Sequence, residues 1–197
     1  MNPFQVVKDF EAALCEYTGA PYAVSVTSCS MALFLCCKYL GVKAVSSPKR
    51  TYVSVPMVIR NAGGSVRFDN RSWSGRYSLD PYPIDDSARR FTSNMYSTGY
   101  VCVSFHWSKI LGLSQGGAIL HGDEQADSWF RRARFDGRQE GVHPKDDTFT
   151  MLGHHCYLSP EVAAHGLVKL SLLPKHNADL PPSDYPDLSL TDWNTLT

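Results

Sequence analysis

The chain has 197 residues, 43% of them apolar and 19% charged, and a formal net charge of zero. That length suits one folded domain or a tight pair, and the composition is globular rather than disordered. Zero net charge removes any bulk electrostatic argument for nucleic acid or membrane binding. No apolar run approaches the roughly 18 residues of a membrane span, and Met1-Asn2-Pro3-Phe4 leads straight into an amphipathic pattern. The expectation is therefore a soluble, unexported, cytoplasmic protein.

Phe4, Val7, Phe10, Ala13, Leu14 and Tyr17 recur at helical spacing, which predicts a helix over 3–17 stopped by Gly19. A short strand, 22–26, then runs through Thr27-Ser28-Cys29-Ser30 into a helix over 31–40, stopped by Gly41. Hydroxyl residues between a strand and a helix either cap the helix or, with its free N–H groups and dipole, cradle a phosphate. Residues 45–48 read as a strand end, 51–62 as a helix closed by Gly63-Gly64, 65–69 as a strand, and 70–80 as a loop. Pro83-Ile84-Asp85-Asp86 places a carboxylate pair at a strand end.

Next comes a β-prone run, 100–105, followed by Lys109, with no other basic residue until Arg131. Gly116-Gly117 then opens a second apolar run, Ala118-Ile119-Leu120. An amine in a turn between two strands is rigidly held. Such a lysine, whose reference pKa is about 10.4, becomes a nucleophile only when desolvated or placed beside another cation; otherwise it is a surface lysine in a hairpin loop. A helix follows that contains Trp129 and reaches Arg138. It carries Arg131, Arg132, Arg134 and Arg138, read as a solvated face or, with Arg89 and Arg90, as an anion site. Beyond Lys175 there is no basic residue, and 177–197 reads as an extended, Pro- and Asp-containing tail after a domain over 1–176. The six cysteines include no C-x-x-C pair and sit mainly in apolar segments, so they are expected to be reduced and buried. The seven histidines have no metal-ligand spacing.

The pattern Ser104-Phe105-His106-x-x-Lys109-x-Leu111-Gly112-x-x-x-Gly116-Gly117 resembles the cofactor loop of the DegT/DnrJ/EryC1/StrS sugar aminotransferases, which use pyridoxal 5'-phosphate (PLP) on fold type I. Tyr17-Thr18-Gly19 and Thr27-Ser28-Cys29-Ser30-Met31-Ala32-Leu33 are similar to the family's phosphate turn, with Cys29 where glycine is usual. The resemblance implies a three-layer αβα fold with a reduced, mostly parallel sheet, one crossover being lost after Asp69 and the C-terminal small domain missing. It implies that Lys109 forms the Schiff base, that Ser28, Cys29, Ser30 and Ser104 reach the phosphate, that Tyr52 stacks on the ring, and that Asp86 pairs with its nitrogen. A carboxylate there keeps the ring protonated and hence an electron sink.

Arg89 stands where the family has Gln or His. His155 stands at the asparagine that reaches a partner's phosphate, which implies a homodimer with shared sites. Arg89, Arg131, Arg134 and His106 are the candidate substrate contacts. The favoured activity is aminotransfer on a nucleotide-sugar-like anionic substrate. The alternatives are a decarboxylase or lyase with an open, lidless cleft, acting on something as bulky as an amino-acid-modified nucleotide or DNA base, and a non-catalytic PLP-fold remnant.

Overall fold

The computed structural model describes residues 3–181, 183–193 and 195–196; Met1, Asn2 and the tail positions Pro182, Asn194 and Thr197 lie outside them. In chain order the elements are α1 (Gln5–Thr18), β1 (Tyr22–Val26), α2 (Cys29–Tyr39), β2 (Ala44–Pro48), α3 (Ser54–Asn61), β3 (Ser65–Asp69), β4 (Tyr77–Ser78), β5 (Ile84–Asp86), β6 (Tyr100–Ser104), β7 (Gly117–His121), α4 (Glu124–Ala133) and α5 (Pro160–Leu172).

Strand alternation builds three layers, as expected. Val24, Val26, Cys102 and Ile119 point into one core, shared with α2, α3 and α4. Their neighbours Ala23, Val101, Val103, Ala118 and Leu120 point into the other, shared with α1 and α5. Helices α1 and α5 pack so closely that a Cβ on Gly166 would lie 2.7 Å from the Phe10 ring.

The sheet is mixed rather than mostly parallel. Its order is β1-β7-β6-β5-β4, and only β5–β6 is a parallel pair; β2 and β3 form a separate parallel pair, linked to the β4 end by a Ser46–Asp80 bridge. The connections account for this. Helix α3 is the crossover that makes β2 and β3 parallel, whereas β6 and β7 are joined by loop 105–116 with no helix and so pair as a hairpin. Segment 70–76 likewise has no helix, and β4 enters antiparallel to β5.

Two helix boundaries and one whole helix differ most from expectation. Helix α3 starts only at Ser54, because the Thr51 hydroxyl is engaged with Tyr77. Helix α4 ends at Ala133, where Asp136 and Gly137 take positive φ and the Gly137 N–H donates back to Arg132 O. Helix α5 was not expected, although Ser159-Pro160-Glu161 is a helix-start signal: Ser159 caps it and Pro160 occupies the first turn.

The tail is extended but docked. Asp179 takes two hydrogen bonds from Arg90, at 2.8 and 2.6 Å; Asp187 pairs with Lys49 at 2.8 Å; and Leu188 is buried. The cysteines are free thiols, all buried except the half-buried Cys15. Among the described residues no helix is long and apolar enough to cross a membrane.

Candidate active site

Four segments converge at one end of the sheet: the end of β1 running into α2, the ends of β5 and β6, and the start of β7. The register aligns Val26 and Ser104 with Gly117, and Asp86 with Cys102. Between them lies a cavity of about 400 Å³. Clefts beyond strand ends are where open α/β sheets bind ligands.

One wall is built for an anion. Helices α2 and α3 both begin at the cavity, and Ser28, Cys29, Ser30 and Ser54 line it. The Ser28 hydroxyl accepts from Met31 N–H at 3.1 Å, and the Ser30 and Ser54 hydroxyls are 2.6 Å apart. Both helix dipoles present their positive ends there. The second glycine of the lysine loop makes this wall compact: a Cβ on Gly117 would fall 2.5 Å from Cys29 N and 2.7 Å from Val103 O. Gly117→Ala must therefore push α2 away from β7. It is expected to cost about 3 kcal/mol, the upper end for overpacking, in denaturant unfolding.

Asp86 lines the same cavity beside Cys29 and is only 6% exposed. Ala88 N–H donates to its Oδ1 at 2.9 Å and the Tyr77 hydroxyl to its Oδ2 at 2.8 Å; the Cys29 thiol is 4.0 Å from Oδ1. Tyr77 Oη is in turn 2.5 Å from Thr51 Oγ1. Burial pushes the Asp86 carboxyl above the usual range, against the Ala88 and Tyr77 hydrogen bonds and the positive charge of Lys109. Burial, reinforced by the Asp86 charge, raises the Tyr77 phenol well above its ordinary value and keeps it a neutral donor.

Lys109 lines the same cavity and acts electrostatically on both Asp86 and Cys29. Its loop is fixed by buried Phe105, Leu111 and Leu113, with Leu113 N–H donating to Phe105 O at 2.7 Å. Ser104 and His106 are on the lining too, and His106 Nδ1 lies 2.9 Å from Ser108 Oγ.

Tyr52 is at the mouth and 57% exposed. Its ring meets Tyr185 of the tail edge-on, 6.4 Å between centroids, and Tyr185 stacks on Trp73 at 6.2 Å. Trp73 and, from the tail, Ser183 and Tyr185 are themselves lining residues, so the tail forms part of the wall of the cleft expected to be lidless.

The expected ring of arginines does not form. Only Arg89 is in the cavity. Arg131 borders a different depression with Lys8 and Cys15, and Arg134 is 1% exposed. Both guanidiniums bind Glu11 of α1, Arg131 at 2.6 Å, because a buried carboxylate demands counter-charge. His155 is outside the cavity, with its exposed ring 2.8 Å from Asp136 Oδ2. Thr51, Trp73, Tyr77, Ser183 and Tyr185 were not anticipated. Trp73 and Tyr77 in the mainly polar 70–80 segment were a readable signal, as was Tyr185 in the polar tail.

Residues 2–74 match the model of the DegT/DnrJ/EryC1/StrS aminotransferase family. Within those residues the family resemblance holds. The matched part carries the anion wall and Tyr52, while Asp86 and Lys109 lie beyond it.

Solved structures agree on the fold. An aminotransferase of the DegT/DnrJ/EryC1/StrS group from Brucella abortus superposes with a TM-score of 0.72 at 19% identity, over 85% of this chain and 58% of that one. The sugar aminotransferase CalS13 from Micromonospora echinospora gives 0.73 at 19% identity, over 84% and 60%. AtS13 from Actinomadura melliaura gives 0.73 at 20%, over 84% and 59%. The chain thus spans less than two thirds of the length of these relatives. A search of curated proteins returns no match.

Proposed function

We propose that the cavity binds PLP and that the protein is a PLP-dependent aminotransferase acting on a nucleotide-sugar-like anionic substrate. The observation that carries this reading is the single cavity shared by a lysine, a buried carboxylate and two hydroxyl-bearing helix starts. That donor set fits the group: hydroxyls and helix starts for its phosphate, Asp86 for the ring nitrogen and Lys109 for its aldehyde. When bound, PLP supplies an electron sink for negative charge at the substrate carbon.

The protein's own contributions are then specific. Ser28, Cys29, Ser30 and Ser104 hold the phosphate end, and Tyr52 covers the ring. The Asp86 carboxylate holds a proton on the facing nitrogen, oriented by Ala88 N–H and the Tyr77 hydroxyl. The Lys109 amine anchors the cofactor and then moves a proton at the substrate carbon as general base. Ser183, Tyr185 and Trp73 exclude water from above.

On this reading residues 1–176 are the cofactor-binding domain and 177–197 a strap across its mouth. His155, on the surface, would reach the phosphate of a partner in a homodimer. The free thiols suit a reducing cytoplasm.

A lyase or decarboxylase acting on a polymer-sized substrate has less support, since the arginine ring that motivated it is absent: Arg131 and Arg134 bind Glu11 outside the cavity. A remnant without activity would have no need to keep a buried carboxylate facing Lys109.

Borohydride reduction of the PLP-treated protein, followed by peptide mass spectrometry, is expected to find the cofactor on the Lys109 peptide and none on Lys109→Ala. Label distributed over surface lysines would refute the reading.

A further inference from the structure

Two dibasic steps lie next to the cavity. Lys49-Arg50 leads into the lining residues Thr51 and Tyr52, and Arg89-Arg90 begins with one. The tail engages all four cations. Asp187 pairs with Lys49 at 2.8 Å, and Tyr185 O accepts from Arg50 Nη1 at 3.0 Å. Ser183 Oγ and Pro181 O accept from Arg89, and Asp179 accepts from Arg90 at 2.8 and 2.6 Å. The span that does this carries Asp179, Asp184 and Asp187 and no lysine or arginine. Between these grips Ser183 and Tyr185 form part of the cavity wall, and the Tyr185 ring meets both Tyr52 and Trp73.

The ends of this span are fastened more firmly than its middle. At the near end Asn177 N–H donates to Thr92 Oγ1 at 3.0 Å and its side-chain amide to Tyr17 Oη at 2.7 Å. At the far end Leu188 is 4% exposed, and its N–H donates to Lys49 O at 2.8 Å. In between, no described residue of 178–187 is buried. The hold there is polar, and its ion pairs are partly open to water: side-chain exposure is 30% and 13% for Lys49 and Asp187, and 31% and 22% for Arg90 and Asp179. Such pairs are weak and screened by salt, and segments with few buried apolar contacts open locally.

We propose that residues 178–187 are a salt-sensitive gate. The span lifts from the four cations between Asn177 and Leu188, carries Ser183 and Tyr185 out of the wall, and so admits ligand to the cavity. The gate is a property of the tail and does not rest on the PLP reading.

Its test needs no cofactor. Among the six cysteines Cys29 lines the cavity, whereas Cys36 and Cys102 are wholly buried. The full chain is treated with N-ethylmaleimide, and peptide mass spectrometry follows each thiol, with rates divided by that of a cysteine peptide in the same buffer. Hydrogen exchange in the same buffers follows 178–187. Raising sodium chloride to about 0.5 M, where charges are screened over roughly 4 Å, is expected to speed both Cys29 labelling and exchange of 178–187, with α1 and β6 unmoved. At low salt Asp179→Asn and Asp187→Asn should each speed Cys29 labelling about 2- to 5-fold and blunt the salt response. Asp184→Asn, which removes a carboxylate of the same span that has no ion pair among the described residues, should behave as wild type.

Cys29 labelling unmoved by salt and by both substitutions, or 178–187 exchanging as slowly as α1, would make the tail a fixed wall and overturn the proposal. Labelling of Cys36 and Cys102 in step with Cys29 would overturn it too, because that pattern reports unfolding of the whole domain.

Discussion

Glu11→Gln is expected to lower the thermal midpoint by about 10 °C, although residue 11 is not in the cavity. Glu11 is 3% exposed and carries two guanidiniums. It also accepts from Ser25 N–H at 2.8 Å and from Ser25 Oγ at 2.7 Å, which ties α1 to β1 and, through Arg131 and Arg134, to α4 and the turn after it. Removing one charge leaves Arg134 buried beside a neutral amide. Breaking a buried pair in this way costs about 3–5 kcal/mol, and each kcal/mol moves the midpoint of a domain this size by about 2–4 °C. Circular dichroism melts at neutral pH measure it directly.

The pH dependence has a definite sign. Burial alone would raise the Glu11 carboxyl, but Arg134 and then Arg131 outweigh it and hold it below the usual range. Its contribution is therefore present above the ordinary glutamate value and is lost as pH falls through the lowered one. Glu11→Gln should flatten that acid limb. Charge reversal of Arg131 or Arg134 would accordingly unfold the protein rather than report on substrate.

Asp86→Asn is expected to lose activity by about 100-fold or more while making the cofactor-free protein more stable at neutral pH. With the folded-state carboxyl raised by burial, ionised Asp86 is a burden on the fold above that raised value, and the burden lifts as pH falls through it. Asparagine removes the charge and keeps an acceptor for Ala88 N–H, while the Tyr77 hydroxyl can turn its proton to Thr51 Oγ1. A gain of about 1 kcal/mol is in the range for relieving a functional site. The loss of activity follows because an amide cannot hold a proton on the facing ring nitrogen, and removing one preorganised electrostatic contact typically costs about 100-fold or more. Opposite movement of rate and stability separates a functional carboxylate from a structural one; Glu11 should lose stability when neutralised.

Much of this was legible from local pattern. Strands β1 and β3 have the predicted bounds, and the Lys109 turn between two strands is as read, because alternation, glycine and a lone lysine are all local signals. Ser28, Cys29, Ser30, Tyr52, Asp86, Arg89, Ser104, His106 and Lys109 line one cavity. What local pattern does not encode is pairing at a distance. Apolar alternation marks a strand without its direction, so the mixed sheet was missed. Arg131 and Arg134 read as a solvated face or an anion site because Glu11 is far away in sequence, and the tail read only as extended because Asp179 and Asp187 find Arg90 and Lys49 only once the chain is folded. Tyr77, which directs the Asp86 carboxylate, sat in a segment read as loop, and its role appears only when β4 is laid against β5.

A crystal structure of the protein soaked with PLP tests the central claim most directly. The account predicts the ring nitrogen at hydrogen-bonding distance from the Asp86 carboxylate, the aldehyde carbon joined to Lys109 Nζ, and the phosphate against Ser28 and Ser30. PLP seated elsewhere, or in the cavity with Lys109 and Asp86 both out of its reach, would contradict it.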